Sequence, residues 1–202
     1  MAQGMIRIVI FAKAPVTGKV KTRLIPKLGA ESAARLAHKM LLETYEQAAS
    51  VSLARTELCV SPAASHPDWQ RLLPAAELLG EQGEGDLGKR LARTAERVIG
   101  DGEAVVLIGT DCPGMTTDRL ERACRDLETH DAVIHPAYDG GYALLGLNRF
   151  DASIFSGIAW STPSVARDTI GRIGALGWTL HISETLRDID EPGDLEHLAV
   201  RS

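Results

Sequence analysis

Apolar positions recur along the chain in two alternating rhythms. Ile6-Arg7-Ile8-Val9-Ile10-Phe11 is a β-branched run of buried-strand type. Ala33, Leu36, Ala37, Met40, Leu41 and Tyr45 then fall at helical spacing, with Ser32 as the expected cap. Residues 55–60 predict a short second strand. Residues 61–67 form a turn-rich loop, and 68–73 one or two helical turns. Leu87, Leu91, Ala95 and Val98 share one helix face between an Asp86 cap and a stop at Gly100. A buried-type strand at 104–109 precedes a helix beginning at Thr116 or Thr117, with Leu120, Ala123, Cys124 and Leu127 inward. Two more strands flank Asp139-Gly140-Gly141: Ala132-Val133-Ile134 before it and residues 143–147 after it. Thr162-Pro163 opens another helix, with Val165, Ala166, Thr169, Ile170 and Ile173 inward and an end at Gly177. An alternating strand at 178–182 and a short C-terminal helix finish the chain. Alternating strands and helices predict an α/β fold: three α/β/α layers around a mainly parallel sheet.

The chain has 202 residues and is 45% hydrophobic, which suits one domain over 1–202. There is no internal repeat or linker. The net charge is −5, a poor balance for general nucleic-acid binding. No apolar run approaches the ~20 residues of a membrane span, and residues 1–5 carry no signal-peptide pattern. Cys59, Cys112 and Cys124 are odd in number and lack metal-like spacing, which suggests reduced thiols in the cytoplasm. The six histidines form no HxxxH or HExxH pair.

Against this acidic background one segment is basic. Residues 11–29 hold Lys13, Lys19, Lys21, Arg23 and Lys27 and no acid. A basic loop with Pro15 and Gly18, between a first strand and a first helix, is where α/β proteins hold phosphates. A solvated surface turn is the simpler alternative. The loop is neither a Walker A motif, since Gly18-Lys19 is followed by Val20, nor GxGxxG.

Four further segments carry candidate chemistry. Gln82, Gly83, Gly85 and Gly88 suit either a flexible loop or close backbone approach to a nucleobase, with Gln82 supplying polar groups. Thr110-Asp111 ends a central strand, where open α/β sheets bind ligands. A carboxylate there, facing a phosphate loop, suits a Mg²⁺-nucleotide site; a turn cap is the plainer reading. Asp139-Gly140-Gly141-Tyr142 is a hairpin turn or an acceptor-binding loop. Asp188, Asp190, Glu191 and Asp194 crowd together before the last helix, where acids at a helix start account for the last two better than for the first two.

Taken together, several motifs resemble a GT-A-like family of bacterial transferases, described as glycosyltransferase-like or as radical-SAM/selenodomain-associated. They are Phe11-Ala12-Lys13-Ala14-Pro15 with Lys21-Thr22-Arg23-Leu24, Gln82 with Gly85-Asp86-Leu87-Gly88, Gly109-Thr110-Asp111-Cys112-Pro113, Asp139-Gly140-Gly141-Tyr142, Trp160-Ser161-Thr162 and Asp188-Ile189-Asp190. More distantly the chain is similar to 2-phospholactate guanylyltransferase and to molybdenum cofactor nucleotidyltransferases. The resemblance implies the nucleotide-diphospho-sugar transferase (GT-A, Rossmann-like) fold and a metal held by Asp111 and Asp190. The C-terminal motif departs from the wider pattern and leaves Asp188 as an alternative to Asp190.

The expected function is therefore that of a transferase dependent on Mg²⁺ or Mn²⁺. Ala12, Lys13, Lys21, Arg23, Gln82, Gly83, Gly85, Gly88, Thr110 and Asp111 would bind the nucleotide donor, with Lys21, Arg23 and Asp111 catalytic. Asp139, Gly140, Gly141, Tyr142 and Trp160 would bind a small acceptor. The basic loop favours nucleotidyl transfer from an NTP to a phosphorylated acceptor, because a triphosphate needs the most neutralisation. Glycosyl transfer from a nucleotide-sugar is the alternative, and a non-catalytic nucleotide-binding protein a third reading. A homodimer is compatible with all three.

Overall fold

The computed structural model describes residues 5–69, 72 and 74–200. Seven strands form one sheet in the order β3-β2-β1-β4-β6-β5-β7. They are β1 (Ile6–Lys13), β2 (Ala54–Ser61), β3 (Leu78–Glu81), β4 (Ala104–Ile108), β5 (Ala132–Pro136), β6 (Tyr142–Leu147) and β7 (Leu180–Ile182). Strand β1 runs parallel to both β2 and β4, and β5 parallel to β7. Only β6 is antiparallel to its neighbours, because it returns from β5 through the Asp139-Gly140-Gly141 turn and inserts beside β4. The mainly parallel three-layer expectation is met.

The helices are α1 (Ile25–Leu28), α2 (Ala30–Ala49), α3 (Leu87–Gly100), α4 (Thr117–Asp126) and α5 (Val165–Ala175). Even-numbered β1 residues, Ile6, Ile8, Ile10 and Ala12, pack with Leu41 and Ala48 of α2 and with Leu120 and Ala123 of α4. Val9 packs on the opposite face, with Leu91, Ala95 and Val98 of α3 and Ile173 of α5. This period-two division is what a strand buried on both faces requires.

Several boundaries differ from expectation. Helix α2 begins at Ala30 on a Gly29 cap, so Ser32 lies inside it. Residues Thr22–Leu24 form a 3-10 turn leading into α1, which the basic loop concealed. Strand β3 was not anticipated, its Leu78-Leu79 pair being too short for a period to register. The helix after Thr162-Pro163 starts at Val165, with Ser164 at the cap position. Pro67–Trp69 form one 3-10 turn; Gln70, Arg71 and Leu73 lie outside the described residues. Asp86 and Thr116 cap as expected, accepting from the Lys89 and Arg119 amides. Among the described residues no helix is long and apolar enough to cross a membrane.

Candidate functional site

Strand β1 has β2 on one side and β4 on the other, so the chain's crossovers diverge between β1 and β4. A crevice at the carboxyl ends of two such strands is the expected ligand position in an open α/β sheet. The loop after β1 and Asp111 after β4 meet there.

Lys21 is their point of contact. Its side chain is only 5% exposed, and its Nζ donates to Asp111 Oδ1 in a short ion pair. It also donates to the Ile189 carbonyl at 2.6 Å and lies 4.0 Å from Asp190 Oδ1. Arg23 Nη1 reaches Asp190 Oδ2 at 2.8 Å. The Ile189 amide donates to the Asp111 carbonyl at 2.8 Å, docking the segment from Asp188 to Asp190 onto the end of β4. Two carboxylates far apart in sequence thus share one cation position.

The other basic residues of the loop are engaged less deeply. Lys13 Nζ donates to the Lys19 carbonyl at 3.0 Å, and Lys19 Nζ pairs with Asp68 at 3.1 Å. Lys27 Nζ donates to the Pro192 carbonyl at 3.2 Å.

Beside this junction lies a cavity of about 400 Å³. Phe11, Leu87, Leu91, Tyr142 and Trp160 give it an apolar wall, and Asp111, Asp139, Asp188 and Asp190 an acidic one. Among the described residues no Lys, Arg or His lines it. Asp188 stands above the ordinary carboxylate range, first through burial, then through the charge of Asp139 and, less, of Asp194 and Asp190. Among the described residues it has no ion-pair partner. Tyr142 rests edge-on to Trp160 at 6.5 Å, and its buried hydroxyl has no hydrogen-bond partner among the described residues. Burial pushes that phenol well above its usual value.

The turn carrying Asp139 is fixed. Asp139 Oδ1 accepts from the Gly141 amide at 2.8 Å, and the Ala166 amide of α5 donates to the Gly140 carbonyl at 2.9 Å. A Cβ on Gly140, at φ +88°, would lie 2.2 Å from the Pro163 oxygen, so glycine is required by both conformation and space.

The expected nucleobase loop separates into two parts. Gln82 does not line the cavity; it is buried, donating from Nε2 to the Ala12 and Cys59 carbonyls at 3.0 and 3.1 Å. Its Oε1 accepts from Arg90 at 3.4 Å, so this side chain ties the ends of β1 and β2 to α3. Gly83 and Gly85 have positive φ and lie against the Arg93 and Lys89 side chains. Gly88 serves packing, since its Cβ would lie 2.2 Å from the Trp160 indole nitrogen. Ala12 is buried in β1, Lys13 is exposed, and Thr110 is half-buried just before Asp111.

Sequence reasoning missed Phe11, Leu87, Leu91, Ser161 and Thr162 as cavity lining, and Asp188 as more than an alternative ligand. The two leucines share a stripe with core positions, so periodicity cannot separate a cavity wall from a core. Ser161 and Lys21 are the non-glycine residues with positive φ among those described, and both border the site. Backbone strain of that kind gathers at functional positions, and nothing in residue type announces it.

The donor set for a metal is entirely oxygen, as hard cations prefer. Among the described residues no group of three or more His, Cys, Asp or Glu is arranged to hold a metal. Mg²⁺ needs only one or two carboxylates when substrate phosphates complete its shell. Asp111 and Asp190, already converging on a single ammonium, fit that requirement.

The comparisons agree with this architecture. A protein from Desulfovibrio desulfuricans G20, described as a candidate nucleotide-diphospho-sugar transferase, is 29% identical; the match covers 98% of this chain and 88% of that one at a TM-score of 0.88. The 4-diphosphocytidyl-2C-methyl-D-erythritol synthase of Anaerococcus prevotii shares the fold at 11% identity and TM-score 0.60, with 96% and 94% covered. A Mycobacterium tuberculosis H37Rv protein solved in complex with manganese shares it at 16% identity and TM-score 0.54, with 98% and 100% covered. No curated protein matches the chain. The fold is thus that of the nucleotide-diphospho-sugar transferases. A family model described as "Uncharacterized protein conserved in bacteria (DUF2064)" matches residues 44–162, more than half of the chain, and the chain belongs to that family.

Proposed function

We propose that this protein is a divalent-metal-dependent transferase that moves a sugar from a nucleotide donor to a hydroxyl group of a small, non-phosphorylated acceptor. The observation that carries the reading is the cavity lining: among the described residues four carboxylates and no cationic side chain, directly beside the junction of Lys21, Asp111 and Asp190. A phosphorylated acceptor would meet repulsion there from Asp139 and Asp188, which have no ion-pair partner among the described residues. This argues against the acceptor class that the basic loop alone suggests. A hydroxyl acceptor needs a base to take its proton, whereas a phosphate nucleophile does not. The description of the Desulfovibrio relative supports the same chemistry.

In this reading Asp111 and Asp190 hold the metal, which when bound neutralises the donor diphosphate. Lys21, Arg23 and Lys13 bind the phosphates, and the crevice at the carboxyl ends of β1 and β4 positions the leaving group. The Tyr142–Trp160 wall excludes water and orients the acceptor ring or chain. Asp188, more basic than an ordinary carboxylate because of its setting, accepts the acceptor's hydroxyl proton as the oxygen attacks. Catalysis rests on positioning and charge placement.

Nucleotidyl transfer remains the second reading, favoured by the five basic residues of the loop. The two are separated by the leaving group. The protein is incubated with Mg²⁺, an NTP or nucleotide-sugar panel and a panel of neutral polyols and sugar phosphates. Acceptor-dependent release of a nucleoside diphosphate with neutral acceptors is expected. Pyrophosphate release that requires an NTP and a phosphorylated acceptor would overturn the reading.

A further inference from the structure

The cation between Asp111 and Asp190 in this structure belongs to the protein itself. Lys21 reaches it at a conformational cost: with φ 47° and ψ 40° the residue is left-handed without being glycine or asparagine. The side chain is nearly fully buried, in contrast to Lys13 and Lys19 of the same loop. Three oxygen acceptors lie within 4.0 Å of its Nζ: the Asp111 carboxylate, the Ile189 carbonyl and the Asp190 carboxylate. Such a set would serve a hard cation as well as an ammonium. Without a cation at this position, Asp111 would have no ion-pair partner among the described residues and Asp190 would keep only Arg23.

Resting on the metal reading above, we propose that Lys21 is a tethered counter-ion. Its ammonium keeps the metal position between Asp111 and Asp190 occupied in the empty enzyme, and it gives way to the divalent cation when the donor arrives. Two cations cannot share the position, since a unit charge and a divalent charge a few ångströms apart repel strongly even at surface dielectric. The displaced ammonium needs a new anionic partner, and the donor's phosphates supply one. Metal alone therefore competes with Lys21, whereas metal with donor does not. Metal and donor are coupled through one side chain, and the coupling is reciprocal.

The test measures Mn²⁺ binding with no nucleotide present, by electron paramagnetic resonance of free Mn²⁺. Five proteins are compared: wild type, Lys21→Gln, Lys21→Arg, Asp111→Asn and the double variant Lys21→Gln/Asp111→Asn. Lys21→Gln is expected to bind one Mn²⁺ at least tenfold more tightly than wild type. Lys21→Arg should stay at the wild-type level, and the double variant should lose the gain. Equal or weaker binding by Lys21→Gln, alongside Asp111-dependent binding by wild type, overturns the inference and leaves the metal reading standing. Absence of Mn²⁺ binding by every protein overturns both. Should Lys21→Gln fail to fold, the wild-type protein with ¹⁵N-labelled lysine decides the matter. Saturating Mg²⁺ is expected to shift the Lys21 ammonium resonance, and an unmoved resonance with Mg²⁺ bound would overturn the inference.

Discussion

The two ends of the central strands carry charge in opposite ways. At the amino ends of β1 and β4, Arg7 is buried among Glu57, Glu103 and Asp101, and Arg55 and Arg97 complete the pairing. Three guanidinium groups meet three carboxylates, Arg7 being held firmly protonated first by its hydrogen bonds to Glu103. Gly80 of β3 is shaped by this cluster, since a Cβ there would lie 2.2 Å from Glu57 Oε1. At the carboxyl ends four carboxylates line the cavity, and only Lys21 and Arg23 pair with them among the described residues. The first cluster is balanced in charge around the buried Arg7, Glu57 and Glu103, which suits a structural role. The second lacks two positive charges and opens into a cavity, so it has room for a divalent cation and a ligand. Buried charge alone does not mark a site; unbalanced charge beside a cavity does.

That contrast is open to direct attack. The largest effect is expected at the balanced end. Arg7→Met leaves Glu57 and Glu103 buried without their shared partner and should cost roughly 3–5 kcal/mol. In scanning calorimetry this is a fall in Tm on the order of 10 °C, and Mg²⁺ should not restore it. A loss under about 2 °C would mean that the cluster is not a structural unit.

Next comes the open end. Mg²⁺ or Mn²⁺ with the correct donor, at a hundred times its dissociation constant, should add about 2.7 kcal/mol of stability. Asp111→Asn should abolish the metal-dependent part of that thermal shift. A third, smaller effect concerns the turn that carries Asp139 at the cavity. Gly140→Ala, through positive φ and contact with Pro163, should cost about 1–3 kcal/mol. Hydrogen exchange should quicken at the Ala166 amide, which now donates to Gly140; unchanged protection would show that the turn is not held by that contact.

The smallest effect reports the surplus charge itself. The folded protein holds the Asp188 proton more tightly than the unfolded chain, because its carboxyl is raised. The contribution to stability is therefore present at low pH and lost as pH rises through the raised carboxylate range. Asp188→Asn should be the more stable protein at neutral pH, by less than about 1 kcal/mol once solvent screening is counted. Transfer should fall sharply in the same variant. Melting curves from pH 4 to 8 (a range set by ordinary carboxylate titration) check this, and a less stable Asp188→Asn at neutral pH would contradict the charge account.

How much of this was legible in the chain depends on the range of the signal. Strand β1, its basic loop and Asp111 at the end of β4 follow from local composition and the rule for open sheets. The Asp188-Ile189-Asp190 segment was visible as crowded acid, yet its docking on Asp111 is a long-range backbone contact with no local signature. Gln82 among glycines reads as a ligand loop, but two carbonyls of β1 and β2 consume its amide. Gly88 reads as backbone freedom, but an indole from 72 residues later along the chain occupies its missing side chain. The three cysteines were correctly read as free; all are buried, and burial pushes Cys59 and Cys112 to about 11 and Cys124 to about 12. Sequence conveys which residues carry chemistry at strand ends, while which of them remain unsatisfied is a property of tertiary contact.

The central claim is that the carboxyl end of the sheet holds a divalent cation between Asp111 and Asp190. Anomalous diffraction from crystals grown with Mn²⁺ and a bound nucleoside diphosphate tests it most directly. The account predicts one manganese peak touching both carboxylates, with the Lys21 ammonium moved off Asp111 onto a phosphate oxygen. Bound nucleotide with no metal at that position, and Lys21 still paired to Asp111, would contradict it.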